Sequence, residues 1–205
     1  MIILVGKTCS GKSTVANILH EKYGYSRIIT YTTRPPRDGE QDGVEYHFIS
    51  LEEFERLKSE EFFFETTSYS VATGETWYYG TSKESLHDNA VIVMNPDGLK
   101  KAKNLLDPDK YHLKIFYLNI REGYQYNRLR QRGDNSDETS RRVEADKKDF
   151  ADIENYYDYA ISTDLMTPND VAELIDKMMR FEEKEEEEEN EEPKLYYGVS
   201  CWCLC

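Results

Sequence analysis

Cysteine is scarce and badly placed for stapling. Of four in 205 residues, one is Cys9 and three crowd into the terminus as Cys201, Cys203 and Cys205, so no disulfide framework holds this chain together. Three thiols in that segment lack a fourth ligand and a scaffold to orient them around a metal, and a disordered, oxidisable end is expected there. Long apolar runs are missing too. No stretch approaches the roughly 18 residues of a membrane span, and Met1 leads directly into a strand pattern without a signal peptide's charged and apolar regions. A cytoplasmic protein with no membrane partner is the expectation. Positive charge is in deficit: 26 Lys and Arg stand against 40 Asp and Glu, for a net charge of −14, a balance that disfavours a nucleic-acid surface. The deficit is local, because nine Glu and one Lys between 182 and 192 contribute −8 and leave only −6 elsewhere. Around Arg128, Arg130, Arg132, Arg141 and Arg142 the sign reverses, and the composition there suits either a polyanion site or a solvated helical face.

What is present begins at the amino end. The apolar run Ile2 to Val5 enters Gly6-Lys7-Thr8-Cys9-Ser10-Gly11-Lys12-Ser13, and a helix-compatible stretch, Thr14 to Tyr23, follows. The spacing G-x-x-x-x-G-K-[ST] is that of a phosphate-binding loop. Its glycines let the backbone curl with N–H groups pointing inward at phosphate oxygens, and the next helix adds the positive end of its dipole. Lys12 supplies a mobile charge for the β- and γ-phosphates and Ser13 a hydroxyl for Mg²⁺.

Four apolar runs, Ile2 to Val5, Ala90 to Met94, Leu113 to Leu118 and Tyr159 to Ser162, flank helical patterns, which predicts parallel strands joined by crossover helices, the α/β arrangement. Val15, Ile18 and Leu19 are the expected buried face of the first helix. A final helix opens at Thr167-Pro168 with Val171, Leu174, Ile175 and Met178 at helical spacing, and its pattern stops after Phe181. Residues 182–205 are expected to be an acidic tail whose Glu run either extends the helix into solvent or is disordered. Between Thr30 and Ser85 prolines, glycines and aromatic clusters predict a strand-rich insertion with a turn at Thr73-Gly74. Inside it, Ser50 with Glu53 forms a capping box for a short helix carrying Phe54 and Leu57. A second excursion runs from Arg128 to Phe150, with Gly133 ending one helix and Asn135 with Glu138 capping the next. Such a hinge suits a lid.

Thr32-Thr33-Arg34-Pro35-Pro36-Arg37-Asp38-Gly39-Glu40, continuing through Gly43 to Tyr46-His47-Phe48, is the second informative segment. Two arginines three apart on a proline-stiffened chain, with a tyrosine hydroxyl nearby, can clamp a phosphate dianion, because the planar guanidinium grips two oxygens. The ordered set of phosphate loop, this segment, Phe63-Phe64-Glu65, Tyr78-Tyr79-Gly80-Thr81 and Arg128 to Gly133 resembles the guanylate kinase family over most of residues 1–180.

The resemblance implies a P-loop NTPase three-layer α/β fold with a parallel core sheet (1–29, 86–127 and 146–181), a GMP-binding insertion (30–85) and a helical lid (128–145). It implies ATP as phosphoryl donor, held by Gly6 to Thr14 (Gly6, Lys7, Thr8, Cys9, Ser10, Gly11, Lys12, Ser13 and Thr14), with Mg²⁺ at Ser13. It assigns Arg34, Arg37, Tyr46 and Tyr79 to the acceptor phosphate, Glu65, Thr30 and Thr81 to guanine, and Arg128, Arg132 and Arg142 to the transferred phosphates, together with Lys12. Guanine places N1–H and its exocyclic amine side by side, so one carboxylate such as Glu65 can accept from both. Departures are visible as well. Where the family carries an acidic E/D-I-D pattern, this chain reads Val93-Met94-Asn95, so Asn95 keeps a hydrogen-bonding group for the base without the charge, and Asp97 is the nearest carboxylate. Lys7 and Thr8 replace a Pro-Ser pair, the lid spacing leaves Arg141 and Arg142 as alternatives, and the hairpin from Thr67 to Thr76 is lengthened. Two other readings follow: a kinase of dGMP or another phosphorylated acceptor, and a binding module without catalysis. The intact Lys12-Ser13 pair argues against the second.

Overall fold

The computed structural model describes residues 1–37, 39–70, 74–133 and 136–190. In chain order the elements are β1 (Ile2–Gly6), α1 (Lys12–Tyr23), β2 (Ser26–Arg27), β3 (Tyr31–Thr32), β4 (His47–Phe48), α2 (Leu51–Ser59), β5 (Phe63–Ser70), β6 (Thr76–Ser82), β7 (Ala90–Val93), α3 (Pro96–Leu105), α4 (Pro108–Tyr111), β8 (Lys114–Asn119), α5 (Glu122–Gln131), α6 (Ser136–Asp149), β9 (Tyr159–Ser162) and α7 (Pro168–Asn190). The core sheet runs β2-β7-β1-β8-β9, and every pairing in it is parallel.

Every residue of β1 is buried, as a strand covered on both faces must be. The two-residue period of a strand then divides its side chains between two apolar layers. Ile3 and Val5 join Ile92, Leu99, Ile115 and Phe150 on one face, while Ile2 and Leu4 join Val15, Leu19, Phe116, Val171 and Ile175 on the other. The result is helix, sheet, helix, with the phosphate loop leaving the carboxyl end of the central strand.

The insertion forms its own sheet, ordered β4-β3-β6-β5, over a small core of Phe54, Leu57 and Phe63. Ser50 caps α2 by accepting a hydrogen bond from the Glu53 N–H at 3.1 Å. Gly80 gives the hairpin its tight fit, because a Cβ there would lie 2.7 Å from the Phe63 ring.

Several expectations change. In α7 the buried positions are Val171, Ala172, Ile175 and Met179, whereas Leu174 is 37% exposed. The predicted stripe holds at Val171 and Ile175, with Met178 half-buried against the same core, and fails at Leu174, because α7 packs on α1 and that partner selects the inward face. The helix also continues past Phe181 to Asn190: backbone bonding propagates through a Glu-rich stretch of good intrinsic helix propensity, so over 182–190 the Glu run extends the helix, the first of the two expectations. The first-helix face is right for Val15 and Leu19, but Ala16 is the third buried residue and Ile18 is half-buried. Thr73, Asn135, residues 191–205 with Cys201, Cys203 and Cys205, and the Glu138 side chain lie outside what is described.

Candidate active site

Gly6 and Gly11 shape the loop between β1 and α1. A Cβ on Gly6 would sit 2.5 Å from the Leu118 carbonyl oxygen and 2.6 Å from Ser10 Oγ, and Gly11 adopts φ +95°, a left-handed conformation that glycine takes without a steric penalty. Cys9 shares that region at φ 61°. Lys12 folds back into the loop, donating to the carbonyl oxygens of Gly6 at 2.6 Å and Lys7 at 2.9 Å. Burial lowers its pKa to about 8, opposed chiefly by the carboxylate of Asp146. Ser13 and Thr14, in the first turn of α1, are exposed beside the loop.

Lys12 opens on a cavity of about 200 Å³ that is also lined by Gly6, Thr8, Thr30, Tyr46, Glu65, Tyr79, Thr81 and Asn95. Residues from both expected sites therefore face one space. At its far end Glu65 Oε1 accepts a hydrogen bond from the Thr81 hydroxyl at 2.8 Å, a contact set by the Glu65–Thr81 register of β5 and β6. Glu65 Oε2 is buried with no hydrogen-bond partner among the described residues. Burial pushes this carboxyl above its ordinary range, against the Thr81 bond and the Lys101 ammonium. Asn95 caps α3: its Oδ1 accepts from Gly98 N–H at 2.6 Å, and its Nδ2 donates to Thr67 Oγ1 at 3.0 Å. Asp97, in the first turn of the same helix, is exposed and does not line the cavity, so it does not stand in for the missing acid.

The arginines sit at the margin. Arg34 is 3% exposed and donates to both oxygens of Glu40, at 2.9 and 2.8 Å, and to the Pro35 carbonyl at 2.8 Å. Its guanidinium lies 5.4 Å from the centre of the Tyr46 ring. Neither Arg34 nor Arg37 lines the cavity. Arg37 has its pKa lowered first by partial desolvation and then by the positive charges of Arg34, Arg142 and Arg132. Arg34, Arg142 and Arg132 thus all bear on Arg37, with Arg142 half-buried and Arg141 exposed. Arg128, four residues before Arg132, turns elsewhere: it donates to the carbonyl oxygens of Cys9 and Thr163, tying α5 to the phosphate loop and to the end of β9.

Four cavity residues with polar side chains escaped the sequence reading. Thr67 and Tyr69 follow Glu65 at two-residue steps along β5, so strand alternation puts all three on one face, a signal present in the sequence. Asp146 and Asp149 lie four and seven residues after Arg142 on α6, again one face, but the run of alternating charges around them hides it. Asp146 is 8% exposed; it accepts from Thr8 N–H at 2.8 Å and Thr8 Oγ1 at 3.3 Å, and from Gln125 Nε2. Burial and the neighbouring Asp146 and Asp97 raise the pKa of Asp149. Ser13 is the one expected metal ligand, and among the described residues no three His, Cys, Asp or Glu gather as a metal cluster.

The guanylate kinase family model matches residues 1–182. A guanylate kinase of Vibrio vulnificus is 32% identical over 170 residues, covering 80% of this chain and 80% of its own. One from Fusobacterium nucleatum is 32% identical over 145 residues, 67% of this chain and 74% of its own. Among solved structures, guanylate kinase from Anaplasma phagocytophilum superposes with a TM-score of 0.65 at 25% identity, covering 89% of this chain and 85% of that one. The Bacillus subtilis YorR protein, at 16% identity and a TM-score of 0.53, shares the fold. A family match that spans both the loop of Lys12 and the insertion carrying Glu65 agrees with the shared cavity, and this chain belongs to the guanylate kinase family.

Proposed function

We propose that the chain transfers the γ-phosphoryl group of ATP to the phosphate of GMP, releasing ADP and GDP. The observation that carries this is the single cavity joining Lys12 to Glu65, Thr81 and Thr30. In the transfer, an oxygen of the acceptor phosphate bonds to the γ-phosphorus while the bond from that phosphorus to the β–γ bridging oxygen breaks. The acceptor is already anionic, so no general base is required. Positioning and charge then supply most of the rate. Lys12 swings out from the Gly6 and Lys7 carbonyls to meet the phosphates, the loop N–H groups from Gly6 to Thr14 cradle them, and Arg128, Arg132 and Arg142 spread charge over the transferring group. On the acceptor side Arg37, Arg34 held by Glu40, Tyr46 and Tyr79 hold the monophosphate, with the base read by Glu65, Thr30, Thr81 and Asn95. Ser13 would hold Mg²⁺, which supplies neutralisation of the β- and γ-oxygens.

In this reading residues 1–29, 86–127 and 146–181 form the core, 30–85 the acceptor-binding insertion and 128–145 the lid. The partners are nucleotides, not nucleic acid or membrane, and the site of action is the cytoplasm; no described helix is long and apolar enough to cross a membrane. The test is ADP release from purified protein with ATP and Mg²⁺, offering GMP, dGMP, AMP, CMP and UMP in turn. Turnover confined to guanine nucleotides is expected, and absence of turnover with all five would overturn the proposal.

A further inference from the structure

We infer that Arg128 is a positioning residue for the donor loop: it holds Cys9 in the left-handed backbone conformation that the curl of the loop requires, and so sets the affinity for ATP ahead of any transfer. The inference rests on the kinase reading above and gives Arg128 a task distinct from charge on the transferring group.

Cys9 is where the loop resists its own shape. Its φ of 61° brings the Cβ of an L-residue too close to the following carbonyl oxygen, which disfavours the conformation by about 5- to 30-fold against the right-handed one. Gly11, at φ +95°, has no Cβ and escapes that crowding. A loop curled through Cys9 therefore needs support from outside itself. Arg128 gives it, since its Nη1 donates to the Cys9 carbonyl oxygen at 3.1 Å.

The other end of that support is fixed to the core sheet. Arg128 Nη2 donates to the Thr163 carbonyl oxygen. Thr163 is 3% exposed, and its N–H and Oγ1 both donate to the Asn119 carbonyl at the end of β8, at 2.8 and 3.2 Å. The helix that carries Arg128 is tied to the next residue along, because the Arg121 N–H donates to Asp164 Oδ1 at 2.9 Å and Arg121 Nε to Oδ2. Two nitrogens of one planar fork thus bridge from sheet to loop. Thr8, the neighbour of Cys9, is held from α6 through Asp146 at 2.8 Å, so the crown of the loop is gripped by a lid helix on each side. Without the fork, Cys9 relaxes towards negative φ and the peptide groups flanking it turn with it. ATP must then restore the curl as it binds, and its apparent dissociation constant rises by the inverse of the fraction still curled.

The test is a double-mutant cycle. Arg128→Lys keeps the positive charge but replaces the planar fork with a single nitrogen, and Cys9→Gly removes the Cβ that makes the left-handed conformation costly. Calorimetric dissociation constants for ATP alone and for GMP alone, and amide hydrogen exchange of residues 7–13, are measured for the native chain, each single variant and the pair. Arg128→Lys should weaken ATP binding by about 5- to 30-fold and speed exchange in the loop. In the Cys9→Gly background the same substitution should change ATP binding by at most about twofold, the scatter of uncoupled sites. Equal factors in the two backgrounds would overturn the inference, and so would a loss of GMP binding as large as that of ATP, which would make Arg128 a prop of the whole fold. A native chain that binds no ATP would sink the kinase reading. Loop exchange would still decide the role of Arg128: coupled between the two substitutions it supports the inference, and uncoupled it overturns it.

Discussion

Asp146→Asn removes one negative charge from beside Lys12 while keeping the shape of the side chain. The Lys12 pKa, about 8 in the native chain, is a balance of burial pulling it down and Asp146 pulling it up. With the carboxylate gone only the downward pull and the weaker field of Cys9 remain, and a neighbouring opposite charge is worth about one unit or more. The variant's Lys12 should therefore titrate below the native value of about 8. Native Lys12, at about 8, is mostly protonated at pH 7 and loses its proton as the pH passes 8, and the variant loses it at lower pH. The sign matters: protonated Lys12 is the competent form for triphosphate, so activity is present below the pKa and is lost as pH rises through it. The assay is kcat/KM for ATP measured from pH 6 to 9.5. The alkaline limb should begin near pH 8 in the native chain and about one unit lower in Asp146→Asn, and native ATP binding above pH 8 should take up protons, seen as a buffer-dependent heat. Asn still accepts from Thr8 N–H, so the stability cost should be about 1–3 kcal/mol, measured by denaturant unfolding. A fall in activity by the same factor at every pH, with the limb unmoved, would refute this: Asp146 would then be a strut for Thr8 and Gln125 and nothing more.

Lys12→Ala should abolish transfer while leaving GMP binding measurable by calorimetry, since the acceptor contacts lie at the other end of the cavity; equal loss of both would mean the two subsites are not separable. Glu65→Gln replaces the unpaired buried oxygen with an amide and should reduce the preference for GMP over AMP at least about tenfold, with unchanged selectivity showing that another group reads the base. Gly80→Ala forces a methyl group against the Phe63 ring and should destabilise the chain by about 1–3 kcal/mol, read as a lower denaturant midpoint.

The parallel core was legible because β1, β7 and β8 are near-continuous apolar runs bounded by helical periods, and a strand covered on both faces has few other ways to look. The phosphate loop was legible because close approach at Gly6 and positive φ at Gly11 admit almost nothing but glycine. The insertion was legible only as strand-rich: β3 and β4 are two residues each, too short to carry a period, and their pairing is set by the β6 hairpin strand between β3 and β5. The arginines divide instructively. Residue type and spacing marked Arg34 as an anion clamp, yet its fork is shared with Glu40, six residues on in the same segment, and no periodicity links an arginine to a carboxylate across a loop. Asp146 was invisible for the opposite reason, since nothing in Arg141 to Asp149 separates the one buried carboxylate from its solvated neighbours.

The polar groups around the cavity fall into those already answered by the protein and those left for a ligand. Arg34 is answered by Glu40, Asn95 Oδ1 by Gly98, Asp146 by Thr8 and Gln125, and even Lys12 by two loop carbonyls. These contacts hold the cavity in shape, and each must be worth little enough to yield where a ligand needs the group, as proposed for Lys12. Glu65 Oε2 stands apart. A buried carboxylate oxygen without a partner costs about 1–3 kcal/mol or more, a cost carried by the free protein and recovered only when an N–H arrives. That recovery acts on the bound base alone and is withheld from any base lacking the donor. The strongest discrimination should therefore lie between bases that present N1–H and those that do not.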